Sequence, residues 1–188
     1  MLASGMKQLH DSLTCITYNG AQHTHILIEE TGAEAKLKKV TLSAPNGDWL
    51  SFDPDAGRGK AALMSPLLAV GAHDHHRACD CVIVVNRQSQ LTIVYVDLKS
   101  GNPVGYSGQF KSTRQFVRYA LGLLEEFRQE KLTIADERYV ILYGGKPVLL
   151  NKTTTVPKIE KMGKSKPDAA YKREVTNPGR LYLKELLG

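Results

Sequence analysis

The stretch Leu91-Thr92-Ile93-Val94-Tyr95-Val96-Asp97-Leu98-Lys99-Ser100-Gly101 constrains this chain more than any other. β-Branched and aromatic residues from Thr92 to Val96 favour a strand, and Gly101-Asn102-Pro103 closes it. On a strand, residues i and i+2 point to the same face. Asp97 and Lys99 therefore project together, while Val96 and Leu98 turn into a core on the other side. Burying a carboxylate beside an amine is costly unless something uses them. A divalent cation and a phosphate would use both.

The neighbouring segments extend this strand into a sheet. Cys79 to Asn86 contains the continuous apolar run Val82-Ile83-Val84-Val85, which suits a strand buried on both faces. The polar turn Asn86 to Gln90 makes it an antiparallel neighbour of 91–99. From Ser107 to about Glu130 the period changes, and Phe116, Ala120, Leu123, Leu124 and Phe127 recur at helical spacing. Tyr139 to Tyr143 reads as a further strand, with Val148 to Leu150 its partner across Gly144-Gly145. Residues 1–70 look β-rich. Within them, Thr24 to Glu29 and Leu37 to Leu42 pair as a hairpin, in preference to a helix over Glu30 to Lys39. Ser12 to Tyr18 and Trp49 to Phe52 are shorter strand candidates, and Lys60 to Val70 a helix interrupted by Pro66. Residues 151–180 read as a surface arm rich in Lys, Thr, Pro and Gly, after which Leu181 to Leu187 docks back on the core. The expected organisation is one domain over 1–188, with a β-rich part (1–70), a core (71–150) and a basic arm with a C-terminal segment (151–188).

Asp80 starts its strand and Asp97 ends the adjacent one, so two carboxylates and Lys99 converge at one end of a sheet. Mg²⁺ takes oxygen ligands and often uses one or two carboxylates plus a substrate phosphate. Gln115 and Tyr119, at i and i+4, share a helix face at the border of the apolar stripe. Asp80 followed by Asp97-Leu98-Lys99 resembles the D…(D/E)xK pattern of the PD-(D/E)xK nucleases, the restriction-endonuclease-like superfamily. Lys99-Ser100-Gly101 followed by Gln115-Phe116-Val117-Arg118-Tyr119 is similar to its RecB-like branch.

The resemblance covers about residues 76–120 and implies an α/β (α+β) fold with a mixed central sheet flanked by helices. It further implies Mg²⁺ or Mn²⁺ dependence and phosphodiester hydrolysis on DNA, in defence against foreign DNA or in repair. Residue by residue, it makes Asp80 and Asp97 metal ligands, Lys99 the catalytic lysine, and Gln115 and Tyr119 a supporting pair, with Gln109 competing for the place of Gln115. Many members take a further glutamate from an earlier helix. Glu30 and Glu34 are the candidates, and the hairpin reading counts against both. Asp80 lacks the proline that gives the family its name.

Composition bears on partners. The net charge is +6, and the excess is concentrated in the last quarter of the chain. Lys161, Lys164 and Lys166 are therefore candidate phosphate contacts, with Arg77 at the loop before Asp80. No apolar run approaches the ~20 residues of a membrane span, and no basic region followed by an apolar stretch opens the chain. Three cysteines build no disulfide framework, so a reducing cytoplasm is expected. His73, His75, His76, Cys79 and Cys81 form a dense soft-ligand group, but their spacing does not suit structural zinc. Cys79 and Cys81 are expected to share the strand face opposite Asp80. Two other functional classes fit the same residues: a catalytically silent nuclease-fold module that binds nucleic acid or a partner protein, and a zinc-stabilised adaptor. A homodimer is the expected assembly if both strands of a duplex are cut.

Overall fold

The computed structural model describes residues 1–58, 63–71, 74–100, 104–144 and 163–188. The elements in order are α1 (Ser4–Ser12), β1 (Ile16–Asn19), β2 (His25–Glu29), β3 (Lys39–Ser43), β4 (Trp49–Phe52), α2 (Pro54–Gly57), β5 (Cys81–Arg87) and β6 (Gln90–Ser100). They continue as α3 (Ser107–Arg128), β7 (Thr133–Gly144), β8 (Tyr171–Val175), β9 (Gly179–Tyr182) and α4 (Lys184–Leu187).

Six strands form a mixed sheet in the order β1-β4-β5-β6-β7-β8, and β2-β3-β9 form a second, smaller sheet. The β5–β6 hairpin is antiparallel, with Cys81 opposite Val96 and Val84 opposite Ile93. β6, α3 and β7 form a parallel crossover unit in which Asp97 lies opposite Ile141. Parallel strands require such a connection, because a tight turn can only return the chain antiparallel.

The alternation of β6 separates two cores. Val94, Val96 and Leu98 face the second sheet, packing in one cluster with Ile26, Ile28, Val40, Leu42 and Leu181. Ile93 and Tyr95 face the helices, packing with Met6 and Leu9 of α1 and Phe110, Val117 and Leu124 of α3. The Tyr95 and Tyr139 rings stack at 4.9 Å on that side. Asp97 and Lys99 continue the helix-facing row, so the fold carries their face under the N-terminal turns of α3.

The expected mixed α/β architecture is present, and several local expectations are corrected. The N-terminal part opens with α1, whose Met6 and Leu9 are buried under the sheet. Two apolar anchors in nine residues are too few to show a helical period in the sequence. Residues 63–70 form turns and bends. The segment read as an arm contains β8, which extends the six-stranded sheet beside β7, and the start of β9, which pairs parallel with β3. Alternating charges in Tyr171-Lys172-Arg173-Glu174-Val175 hide an edge strand with one solvated face. The hairpin of β2 and β3 is present, with His25 opposite Ser43 and Glu29 opposite Lys39. Leu181, Leu183 and Leu186 are buried, so the C-terminal segment docks on the core. The partner strand expected at 148–150 lies outside the described residues.

Candidate active site at the end of β6

β5 begins at Cys81, and Asp80 occupies the bend just before it, across from the end of β6. The Leu98 N–H donates to Asp80 Oδ2 at 2.5 Å, which ties the carboxylate to the strand that carries Asp97. Asp97 is fully buried, and its Oδ2 lies 2.7 Å from Lys99 Nζ. Asp97 Oδ1 accepts no hydrogen bond among the described residues. A buried carboxylate oxygen without a donor costs free energy and marks a place for a missing partner.

α3 fixes the remaining geometry. Lys99 Nζ donates to Gln109 Oε1 at 3.0 Å, and Gln109 Nε2 donates to the Ala78 carbonyl at 3.0 Å. One turn on, Thr113 Oγ1 accepts from the Cys79 N–H at 3.1 Å. Gln109 and Thr113, at i and i+4, thus hold the segment leading into Asp80 as a neighbouring strand would. Gln109 is therefore the glutamine of the site.

Gln115 and Tyr119 lie elsewhere. Gln115 is exposed, and Tyr119 is exposed beside a different cavity, with Leu13 and Leu63. Six helical positions from Gln109 rotate Gln115 by about 240°, away from the sheet. The spacing of a motif on a helix does not by itself say which face the sheet covers.

Glu30 also departs from expectation. It follows β2 in a hairpin, yet its charge acts on both Asp80 and Asp97. Ser100 Oγ accepts from the Lys36 and Leu37 N–H groups at 2.6 and 3.2 Å, and so pins the β2–β3 loop over the end of β6. Glu30 Oε1 accepts from the Gly32 N–H at 2.8 Å. Among the described residues no three acidic or soft side chains converge at ligating distance. Asp80 and Asp97 are the pair the fold supplies, with Glu30 next in reach of their field.

Burial, then the neighbouring Asp97, pushes the Asp80 carboxyl up to about 8. Burial also raises Asp97, against the opposing pull of Lys99. Asp80 thus holds a proton at neutral pH that a divalent cation would displace. The unbonded Asp97 oxygen, the repulsion between the acids and the all-oxygen donor set fit a hard cation.

The raised Asp80 carboxyl fixes the sign of a pH dependence. Between its unfolded value near 3.8 and about 8, the folded state binds the extra proton. Stability without divalent cations should therefore be greatest in acid and decline as pH rises through this window, by up to about 1.4 kcal/mol per pH unit. Urea midpoints in EDTA across the window measure the decline, and Asp80→Asn should flatten it.

The other candidates are dispersed. Arg77 is exposed and paired with Asp74 at 2.9 Å. Lys164 and Lys166 are exposed, while Lys161 lies outside the described residues. Cys79 and Cys81 do not share a face: the bend at Asp80 sends Cys79 into the helix-side core and Cys81 into the inter-sheet core. Burial raises both thiols far above their usual range. The His75 and His76 rings lie 4.3 Å apart, with Nε2 of each against the Ala69 carbonyl; His73 is outside the described residues. No helix among the described residues is long and apolar enough to cross a membrane.

No protein-family model, curated protein or solved structure matches this chain.

Proposed function

We propose that the chain is a divalent-cation-dependent nuclease of the PD-(D/E)xK type that hydrolyses phosphodiester bonds in DNA. The observation that carries this reading is the buried Asp97, with one oxygen on Lys99 and the other without a donor among the described residues, beside Asp80 at the end of the same hairpin. Mg²⁺ or Mn²⁺ held by Asp80 and Asp97 would supply Lewis acidity toward the phosphodiester. Lys99 is oriented by Asp97 on one side and Gln109 on the other and is 23% exposed, so its remaining N–H, which meets no acceptor among the described residues, can face substrate. That N–H donates to the attacking water or to the phosphoryl oxygen on which charge grows. Exposed Lys36 and Lys38 on the loop pinned by Ser100 add positive charge beside the site, where a phosphate backbone would run.

The test is cleavage of plasmid and linear DNA by the purified chain in Mg²⁺ or Mn²⁺ against EDTA. Binding of DNA without cleavage under any divalent cation would transfer the fold to the silent-module reading. The basic surface has its own expected result. Lys164→Gln with Lys166→Gln should weaken binding evenly across sequences and flatten the salt dependence. The slope should fall by roughly 0.9 units of log K per log salt for each duplex phosphate no longer neutralised. An unchanged slope would assign these lysines to solubility alone.

A further inference from the structure

The second sheet turns one face to the core and the other outward. Ile26, Ile28, Val40, Leu42 and Leu181 point inward. Alternation along each strand then sends Glu29 of β2, Lys39 and Thr41 of β3, and Arg180 and Tyr182 of β9 to the outer face. The register sets Thr41 beside Arg180 and Ser43 beside Tyr182, so β3 and β9 make one continuous surface. Lys39, Ser43, Arg180 and Tyr182 are exposed, and Thr41 is half-buried.

Two properties of this face point to a ligand. Its charge is positive: Lys39, Arg180 and Lys184, which follows β9, stand against Glu29, whose Oε1 lies 3.7 Å from Lys39 Nζ. The nearby Glu185 is engaged by Arg173 at 2.7 Å and by the Tyr182 N–H at 2.8 Å. The face also carries an aromatic ring. Tyr182 is 58% exposed, and Lys184 Nζ lies 5.3 Å from its centroid. The ring stands on a paired strand, so its backbone is fixed before anything binds.

The same surface leads to the candidate active site. The β2–β3 loop carries Glu30 and Glu34 in its first half and Lys36 and Lys38 in its second. The second half is held from two sides. Ser100, at the end of β6, accepts from the Lys36 and Leu37 N–H groups. The Asn177 side chain, just before β9, donates to the Lys36 carbonyl at 2.7 Å and accepts from the Lys38 N–H at 3.4 Å. Lys36 and Lys38 run into Lys39, and from Lys39 to Ser43, beside Tyr182, β3 spans about 13 Å. The cations thus form a track between the end of β6 and the Tyr182 ring.

We propose that the outer face of the β2-β3-β9 sheet binds single-stranded DNA, with a base stacked on Tyr182 and phosphates on Arg180, Lys39 and Lys184, and that the strand continues over Lys38 and Lys36 to the site at Asp97. The choice of DNA rests on the nuclease reading; the ring and the charge of the face do not. The ring selects a single strand. A base stacks on a side chain only when its own face is uncovered, whereas a duplex offers phosphates and groove edges. Cations that follow the backbone, with an aromatic ring for a base, are the combination that binds single strands without reading sequence.

The test is equilibrium binding of a fluorescein-labelled oligo-dT of about 16 nucleotides to the full chain in EDTA, beside a duplex of the same length. The parent should bind the single strand more tightly. Tyr182→Ala should weaken that binding by about tenfold or more, with duplex binding and the thermal melt unchanged, and Tyr182→Phe should keep it, because the ring does the stacking. Arg180→Gln with Lys184→Gln should flatten the salt dependence on the single strand by about 0.7 units of log K per log salt for each phosphate no longer neutralised. A Tyr182→Ala variant that binds the single strand as the parent does would overturn the proposal. So would a parent that binds the duplex, or the matching RNA, as tightly or more tightly. The two readings fail separately. Tyr182-dependent binding by a chain that cleaves no DNA would keep the platform and remove the nuclease; cleavage with binding indifferent to Tyr182 would do the reverse.

Discussion

Asp97→Asn is expected to abolish DNA cleavage and, without divalent cations, to leave the protein at least as stable as the parent. Magnitudes separate this outcome from a structural role. Removing one partner of a buried structural ion pair leaves an uncompensated charge and costs about 3–5 kcal/mol. Here the charge left behind belongs to Lys99, which is 23% exposed and keeps Gln109 as an acceptor. The charge removed is the fully buried Asp97, which raises the Asp80 carboxyl and is itself raised by burial. Relief of the burial cost of that charge offsets the attraction to Lys99 that the substitution removes. The second expected effect is metal-linked: Mn²⁺ should raise the melting temperature of the parent, as any ligand specific to the folded state does, and should not raise that of Asp97→Asn. Calorimetric melts with and without Mn²⁺, run beside cleavage assays, measure both. A drop of several kcal/mol in the metal-free variant would make Asp97 and Lys99 a structural pair and remove the basis of the nuclease reading.

What the sequence shows and what it hides divide along the range of the interactions involved. The pairing of β5 and β6, and the shared face of Asp97 and Lys99, follow from period-2 alternation and a short polar turn, which are local signals. α3 is legible for the same reason, because its apolar period runs through 22 residues. Its rotation is not. Whether Gln109 or Gln115 meets the sheet depends on where the crossover lands, and only the contacts of Gln109 with Ala78 and Thr113 with Cys79 decide it. The hairpin reading counts against Glu30 because a family glutamate is expected on a helix. The hairpin loop brings it near the acids by a different route, through Ser100, at a sequence separation of more than 60 residues from the backbone it pins. β8 and β9 are hidden because a strand at a sheet edge needs only one apolar face, and their partners β7 and β3 are distant in sequence. The split of Cys79 and Cys81 between two cores reflects the bend at Asp80, which starts the strand two residues later than the sequence reading of Cys79 to Asn86.

Lys99→Ala is expected to lower the single-turnover cleavage rate by on the order of 10²–10³ while leaving Mn²⁺ affinity and DNA binding near parental values. The amine sits on Asp97 at 2.7 Å and on Gln109 at 3.0 Å, so it is placed before substrate arrives and acts on charge that appears only in the transition state. Gln109→Ala removes the second of those acceptors and frees the Ala78 carbonyl, so it should misplace the amine without deleting it. A decrease of about tenfold is expected, seen in the rate and not in DNA affinity. The two effects should not add. With Lys99 already alanine, Gln109 has no amine to orient, and the double variant should cleave no more slowly than Lys99→Ala. Single-turnover rates for the four proteins, with Mn²⁺ titrations on the same preparations, close this cycle. Additive decreases would mean that Gln109 acts on the fold or on the Asp80 segment and not through Lys99. Full activity in Lys99→Ala would take the lysine, and with it the D…DxK reading, out of the chemistry.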